Sequence, residues 1–311
     1  MNHLSDTNSI APRRLSISVF TAVACAVAIS GCSQPEPAER NPVEYKLVTT
    51  DDANKDIGSY VLPQDTSILD EPNAEKIIYG KRLLNETKRL LPDNVGAQMN
   101  CNSCHIAQGK IPLGDPYINS HNFYPRVMPR SGKEVDLTMR INGCFQRSMN
   151  GKPLKPESDE MLAILAYMEW LSQNTPKTQK VNIDNTGKVD ESLIPDPVQG
   201  EKIYYAQCAT CHGDNGEGIK DSRGDIIFPP LWGDESFNIG AGLARTYKAA
   251  AFVKYNMPIG IQTQGLWGHG NVLSDQDAVD VAEFFTHKPR PDFAKKNGDW
   301  PTAPKPKDAR Y

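Results

Sequence analysis

The chain has 311 residues, a formal net charge of −4, 39% hydrophobic residues and a mean hydropathy of −0.51. These values allow two modest domains, exclude a multi-span membrane protein and make nucleic acid a poor partner for so acidic a chain. The 24 prolines and 23 glycines point to a loop-rich fold.

At the N-terminus, Arg13 and Arg14 precede an apolar run from Leu15 to Ile29. That run is shorter than the ~20 residues a membrane span needs, so residues 1–32 read as a secretory signal. The run ends Ile29-Ser30-Gly31-Cys32, which resembles a bacterial lipobox and implies lipidation of Cys32 after cleavage; an ordinary cleaved signal is the alternative. Ser33, rather than Asp, comes after the cysteine, which implies retention at the outer rather than the inner membrane. The expectation is a protein on the periplasmic side of a bacterial membrane, lipid-anchored through Cys32 or soluble in the periplasm.

Residues 33–70 are rich in Pro, Asp and Thr and read as a tether with an N-terminal extension. Over residues 73–92, Ile77, Ile78, Leu83, Leu84, Leu90 and Leu91 recur at helical spacing. Cys101-Asn102-Ser103-Cys104-His105 comes next, and Ser158-Asp159-Glu160-Met161 then opens a second helix with a capping start, running through Leu165, Met168, Trp170 and Leu171. After a Pro-, Lys- and Asp-rich stretch the order repeats. A helix from Gly200 to Tyr205 leads into Cys208-Ala209-Thr210-Cys211-His212, and Ser274 to Phe285 close the repeat. The segments are a first domain over 71–175, a linker over 176–197, a second domain over 198–290 and a tail over 291–311.

C-x-x-C-H has a mechanical reading. Two thiols form thioethers to the vinyl groups of a porphyrin, and the adjacent histidine falls under the iron. C-x-x-C alone also suits zinc or a redox disulfide. Two copies, each ending in His and each preceded by a helix in an exported chain, indicate two covalently bound haems c. Cys101, Cys104 and His105 would hold the first, and Cys208, Cys211 and His212 the second. Helix, C-x-x-C-H, long loop, helix resembles class I cytochrome c. The expected fold is mainly α, with two tandem class I cytochrome c-like domains, each wrapped around one haem.

Each iron has a sixth position to fill. In Tyr255-Asn256-Met257-Pro258-Ile259-Gly260, Met257 lies where class I domains carry their methionine loop; a core methionine is the bland alternative, and Lys254 and His269 are other ligand candidates. The first domain has no such loop. Met149, His121 and Cys144 are its candidates. Of seven cysteines, Cys25 lies in the signal, Cys32 is the lipid candidate and four form the two pairs, so Cys144 remains unassigned. It is open to two readings, a buried inert thiol or a functional one. Around it lie Arg126, Arg130, Lys133, Arg140, Arg147, Lys152 and Lys155 against Glu134 and Asp136. Such a run is either a solvated face or an anion site.

The segment Arg140-Ile141-Asn142-Gly143-Cys144-Phe145-Gln146-Arg147-Ser148-Met149-Asn150-Gly151-Lys152-Pro153 resembles the dihaem thiosulfate dehydrogenases that form tetrathionate, a likeness that extends over roughly residues 60–290. The resemblance implies that Cys144 is the distal ligand of the catalytic haem and that Arg130, Arg140 and Ser148 belong to an anion site. Some members place a lysine on the second iron directly before the methionine. That position is Asn256 here, which implies Met257 as the ligand. Thiosulfate and tetrathionate would be the substrate and product, and the electrons would pass to an external protein such as another cytochrome c. Two rival readings are a dihaem electron shuttle with no substrate of its own, and a cysteine-ligated haem subunit of a multiprotein sulfur-oxidising complex.

Overall fold

Six long helices organise the chain in the computed structural model, which describes residues 43–51, 53–173, 175–259 and 270–311. They are α1 (Ala74–Asn85), α2 (Leu137–Arg147), α3 (Asp159–Leu171), α4 (Pro197–Gln207), α5 (Thr246–Asn256) and α6 (Asp275–Thr286). The signal segment, Cys32 and His269 lie outside the described residues.

The two halves are built on the same crossing. In the first, α1 packs across α3 through Gly80, where a Cβ would come within 2.0 Å of the Ala163 carbonyl oxygen. In the second, α4 packs across α6 through Gly200, where a Cβ would come within 2.0 Å of the Asp280 carbonyl oxygen. Glycine is needed at both places because backbone meets backbone. Each closing helix has a serine N-cap: Ser158 accepts from the Met161 amide, and Ser274 forms a capping box with Asp277. Asp196 caps α4, with Pro197 in its first turn. Ile77, Leu83, Leu84, Tyr167 and Leu171 from the first crossing and Tyr204, Val279, Val281 and Phe285 from the second join one continuous core.

The helix expected over 73–92 breaks at Glu86 into α1 and a short turn, Thr87–Leu90. Thr87 is fully buried. Its hydroxyl donates to the Leu83 carbonyl at 2.7 Å and accepts the Cys101 amide N–H at 2.9 Å. A threonine bonding back into the preceding turn bends a helix, and here it also pins the first cysteine of the motif.

The structure adds elements that the sequence pattern does not announce. In the 33–70 tether and extension, Glu44–Thr49 (β1) and Asp56–Val61 (β2) pair antiparallel, and Gln179–Val181 (β3) from the linker joins the other edge of β1 with Leu47 opposite Val181. Leu47, Tyr60, Ile118 and Val181 form a small second core beneath this sheet. The tail does not simply lie along the surface. The Trp300 amide donates to the Arg130 carbonyl at 2.7 Å, and Asp299, with only 5% of its side chain exposed, pairs with Arg147 through two bonds of 2.7 and 2.8 Å. The tail therefore straps the end of the chain back onto the first domain, and residues 42–311 form one compact unit. Among the described residues no helix is long and apolar enough to cross a membrane.

Candidate functional site: two haem cavities

Two cavities open against the two motifs. The first, of about 240 Å³, is lined by Cys101, His105, Tyr117, Arg140, Cys144 and Met149 among others. The second, of about 330 Å³, is lined by Cys208, Cys211, His212, Met257 and apolar side chains that include Phe252 and Phe285. Cys104 lines the second cavity while Cys101 lines the first, so the first motif forms part of the wall between them.

Both histidines are oriented by a carbonyl. His105 Nδ1 lies 2.5 Å from the Asp115 carbonyl oxygen, and His212 Nδ1 lies 2.9 Å from the Pro229 carbonyl oxygen. Nδ1–H donates in each case, which leaves Nε2 as the lone-pair nitrogen free to bind a metal. This is the arrangement that fixes a metal-ligating imidazole. Burial holds His212 below the ordinary histidine range, in the neutral form that binds metal. Tyr117 stacks on His105 at 4.2 Å between ring centroids. The five described cysteines are free. Among the described residues no group of three or more His, Cys, Asp or Glu side chains converges as a zinc centre would require. Paired thiols, an oriented imidazole and an apolar cavity fit a covalent haem at both sites.

The distal side of the first cavity comes from α2. Asp136 caps this helix by accepting the Met139 amide at 2.7 Å. Leu137, Arg140, Ile141, Cys144 and Phe145 then recur at i, i+3, i+4, i+7 and i+8, so one face turns inward. Arg140 and Cys144 are four residues apart and therefore neighbours on that face. Arg140 Nη1 donates to Cys144 Sγ at 2.8 Å.

The thiols sort sharply. Burial pushes Cys101 up to about 12, Cys104 higher still, and Cys208 up to about 11. Burial would raise Cys144 too. The Arg140 guanidinium and a hydrogen bond from His105 overcome it and hold Cys144 down to about 6. The same contact raises Arg140 above the ordinary arginine range. Cys144 is thus a thiolate facing the motif histidine, and imidazole and sulfur form a donor pair suited to the two axial positions of one iron.

The remaining candidates separate by position. Met149 is buried and lines the first cavity. His121, in a short turn (Ser120–Phe123), does not line it. The Ser148 amide donates to the Cys144 carbonyl and closes α2. The structure does not bring Arg130 to the cavity wall. Its Nη1 donates to the Gly240 carbonyl at 2.6 Å, it lies 3.9 Å from Asp299 and it stacks over Trp300. In the second cavity Met257 lines the wall, while the Lys254 ammonium is bound by Asp275. Asn256 is fully buried, and its amide donates to the Leu113 carbonyl of the first domain at 3.0 Å.

Residues that no sequence signal marks complete the first cavity. Asn185 and Thr186 reach it from the linker and Lys248 from α5 of the second domain. Lys248 Nζ donates to Thr186 Oγ1 at 2.6 Å, and Thr186 donates in turn to Asp115. Burial lowers Lys248 from the usual lysine range, with Asp115 opposing that effect. Only the docking of the two domains brings these residues together.

Residues 93–176 match the family model described as SoxA/TsdA, cytochrome c domain, and residues 195–285 match Cytochrome C oxidase, cbb3-type, subunit III. A thiosulfate dehydrogenase of Psychrobacter arcticus is 43% identical over 249 residues, which covers 80% of this chain and 74% of the relative. One from Allochromatium vinosum is 37% identical, covering 76% of this chain and 87% of the relative. The chain belongs to the thiosulfate dehydrogenase family. Among solved structures, the thiosulfate dehydrogenase TsdBA of Marichromatium purpuratum, in its as-isolated form, aligns with a TM-score of 0.66 at 29% identity over 76% of this chain. The aligned region is 50% of that solved chain. As a member of the thiosulfate dehydrogenase family, the protein is an oxidoreductase with two cytochrome c domains and two covalently bound haems c.

Proposed function

We propose that the protein oxidises thiosulfate at the first cavity, joining two ions into tetrathionate and releasing two electrons. The observation that carries this reading is Cys144, an unpaired thiol held as thiolate by Arg140 at 2.8 Å in the cavity that also contains His105. A plain electron shuttle has no use for such a group.

Two dianions repel strongly. At 4 Å and an effective dielectric of 20 a unit pair costs about 4 kcal/mol, so two dianions cost on the order of 16 kcal/mol. The wall answers with Arg126, Arg140 and Lys248 against the single carboxylate of Asp115. The Cys144 thiolate then joins the outer sulfur of one thiosulfate with loss of two electrons, which gives a cysteine S-thiosulfonate. A second thiosulfate attacks the outer sulfur of that adduct, releases tetrathionate and restores the thiolate. The bound haems would take one electron each and pass them from the Cys144 side to the Met257 side, then to an external acceptor such as another cytochrome c. The same cations hold tetrathionate, so the site serves the reverse reaction too. Arg130 and Ser148 act in this reading by fixing the tail strap and the end of α2. The protein works in the periplasm, tethered by lipid on Cys32; Cys32→Ser is expected to release it from the membrane fraction.

The test is the purified holoprotein with thiosulfate and ferricyanide. One tetrathionate is expected for two thiosulfates consumed and two ferricyanides reduced. No thiosulfate-dependent reduction, with both haems present by pyridine haemochrome, would overturn the reading.

A further inference from the structure

We propose that Lys248 is a substrate-holding residue supplied by the second domain, and that its ammonium binds the sulfonate oxygens of thiosulfate beside Cys144. The inference rests on the thiosulfate reading above and names a group in that site which no local motif points to. Three observations support it. Lys248 projects from α5, which is built around the other haem cavity, yet it lines the cavity that holds Cys144 and Arg140. Its ammonium donates to the neutral Thr186 hydroxyl at 2.6 Å, while the nearby Asp115 carboxylate is itself engaged by that hydroxyl. Arg140, the other inward cation, is committed to the Cys144 sulfur at 2.8 Å.

The charge pattern is a consequence of these contacts. Arg140 stabilises the thiolate and so has only part of its field left for a dianion. Arg126, the third cation of the wall, is an exposed residue at the cavity mouth. Among the described residues of this wall, Lys248 is the half-buried cation that neither a carboxylate nor the thiolate neutralises at contact distance. Ammonium has three N–H donors. One is engaged by Thr186, so two remain for oxyanion oxygens. Thr186 fixes the side chain in place before substrate arrives, which limits the rotamer entropy lost on binding. The placement also makes the active site composite: the second domain takes up electrons and in addition completes the anion site of the first.

The experiment measures steady-state kinetics and redox titrations of the holoprotein as wild type, Lys248→Met, Lys248→Arg and Thr186→Val. A charge-assisted hydrogen bond to a bound anion is worth about tenfold in affinity. Lys248→Met is therefore expected to raise KM for thiosulfate about tenfold with a much smaller change in kcat, and to flatten the dependence of kcat/KM on ionic strength. Lys248→Arg should keep KM within about threefold of wild type, because the charge is retained. Thr186→Val should raise KM less than Lys248→Met does. Haem content and the midpoint potential of the first haem should be unaltered in all three.

An unchanged KM in Lys248→Met overturns the inference. So does a shift of the first haem's potential in that variant which Lys248→Arg leaves uncorrected, since the lysine would then serve the haem rather than the substrate. Wild-type protein that fails to oxidise thiosulfate overturns the functional reading itself and this inference with it. Active wild type with an unmoved KM in the variant overturns the Lys248 assignment alone.

Discussion

The two haem cavities share a proximal side and differ on the distal side. In both, a C-x-x-C-H motif comes after a helix that crosses its partner at a glycine, and a backbone carbonyl takes the histidine Nδ1–H. The first cavity then presents Cys144, Arg140, Lys248 and Asp115. The second, among the described residues, has no Lys, Arg, Asp or Glu in its wall and presents Met257 among apolar side chains. The repeat supplies a place to hold an electron. The segment downstream of each motif, a cationic helix in one copy and a methionine loop in the other, decides whether chemistry occurs there. An apolar wall with a thioether favours a fixed ligand and a high potential. A wall with surplus positive charge around a thiolate favours a small dianion.

The comparison breaks most directly at Cys144. Cys144→Ala should retain two haems and the fold yet lose turnover by at least ~1,000-fold, the scale of removing a nucleophile that nothing else replaces. Near-wild-type turnover with an unaltered first-haem spectrum would make the two cavities alike in function. Arg140→Ala comes next. It removes the group that holds the thiol pKa down, so that pKa rises. It also removes one substrate cation, and a fall of about 10–100-fold in kcat/KM is expected. The first-haem spectrum should change much less than in Cys144→Ala, and absorption spectra taken alongside the kinetics check this.

On the other side of the comparison, Met257→Gly should abolish the weak thioether-to-iron band near ~700 nm and lower the second haem's potential. Substrate binding at the first cavity should be intact. Turnover falls only as far as electron exit becomes limiting, so stopped-flow reduction of the first haem should outpace the steady state. Persistence of the band would move the ligand assignment away from Met257. Lys254 is bound to Asp275, so His269 would then be the ligand to test by substitution.

The two motifs, the four crossing helices and their caps are legible in the sequence because each is a local signal: C-x-x-C-H, a 3.6 period, a serine with acidic residues after it. The helix that carries Cys144 is equally local. Asp136 before Leu137, Arg140, Ile141, Cys144 and Phe145 is a cap and an apolar face, a pattern that counting residues from His105 to each ligand candidate does not reveal. The β1–β2–β3 sheet is harder to see. Tyr45, Leu47 and Tyr60 are a short alternation among prolines and aspartates, and their partner Val181 lies 134 residues beyond Leu47. Lys248 and Thr186 are not legible at all, because their part in the site comes from domain docking. Arg130 shows the converse. Sequence proximity places it in the basic cluster, while the distant tail residues Asp299 and Trp300 hold its guanidinium.

The smallest effects test whether the two copies are structurally equivalent beneath their chemical difference. Gly80→Ala and Gly200→Ala each put a methyl group within 2.0 Å of a carbonyl oxygen on the facing helix. Neither oxygen can move without shifting its helix, so each substitution should cost about 1–3 kcal/mol and lower Tm by about 3–10 °C for a chain of this size. The two variants should differ in where the damage appears. The helix displaced by Gly80→Ala is α3, whose Ile164 and Met168 line the first cavity. The helix displaced by Gly200→Ala is α6, whose Val281 and Phe285 line the second. Gly80→Ala should therefore perturb the first-haem spectrum and KM for thiosulfate, and Gly200→Ala the methionine band and electron exit, at similar losses of Tm. If Gly200→Ala disturbed KM as strongly as Gly80→Ala does, the two halves would be coupled too tightly to count as independent copies, and the division of labour between the cavities would have to be sought in the docked pair.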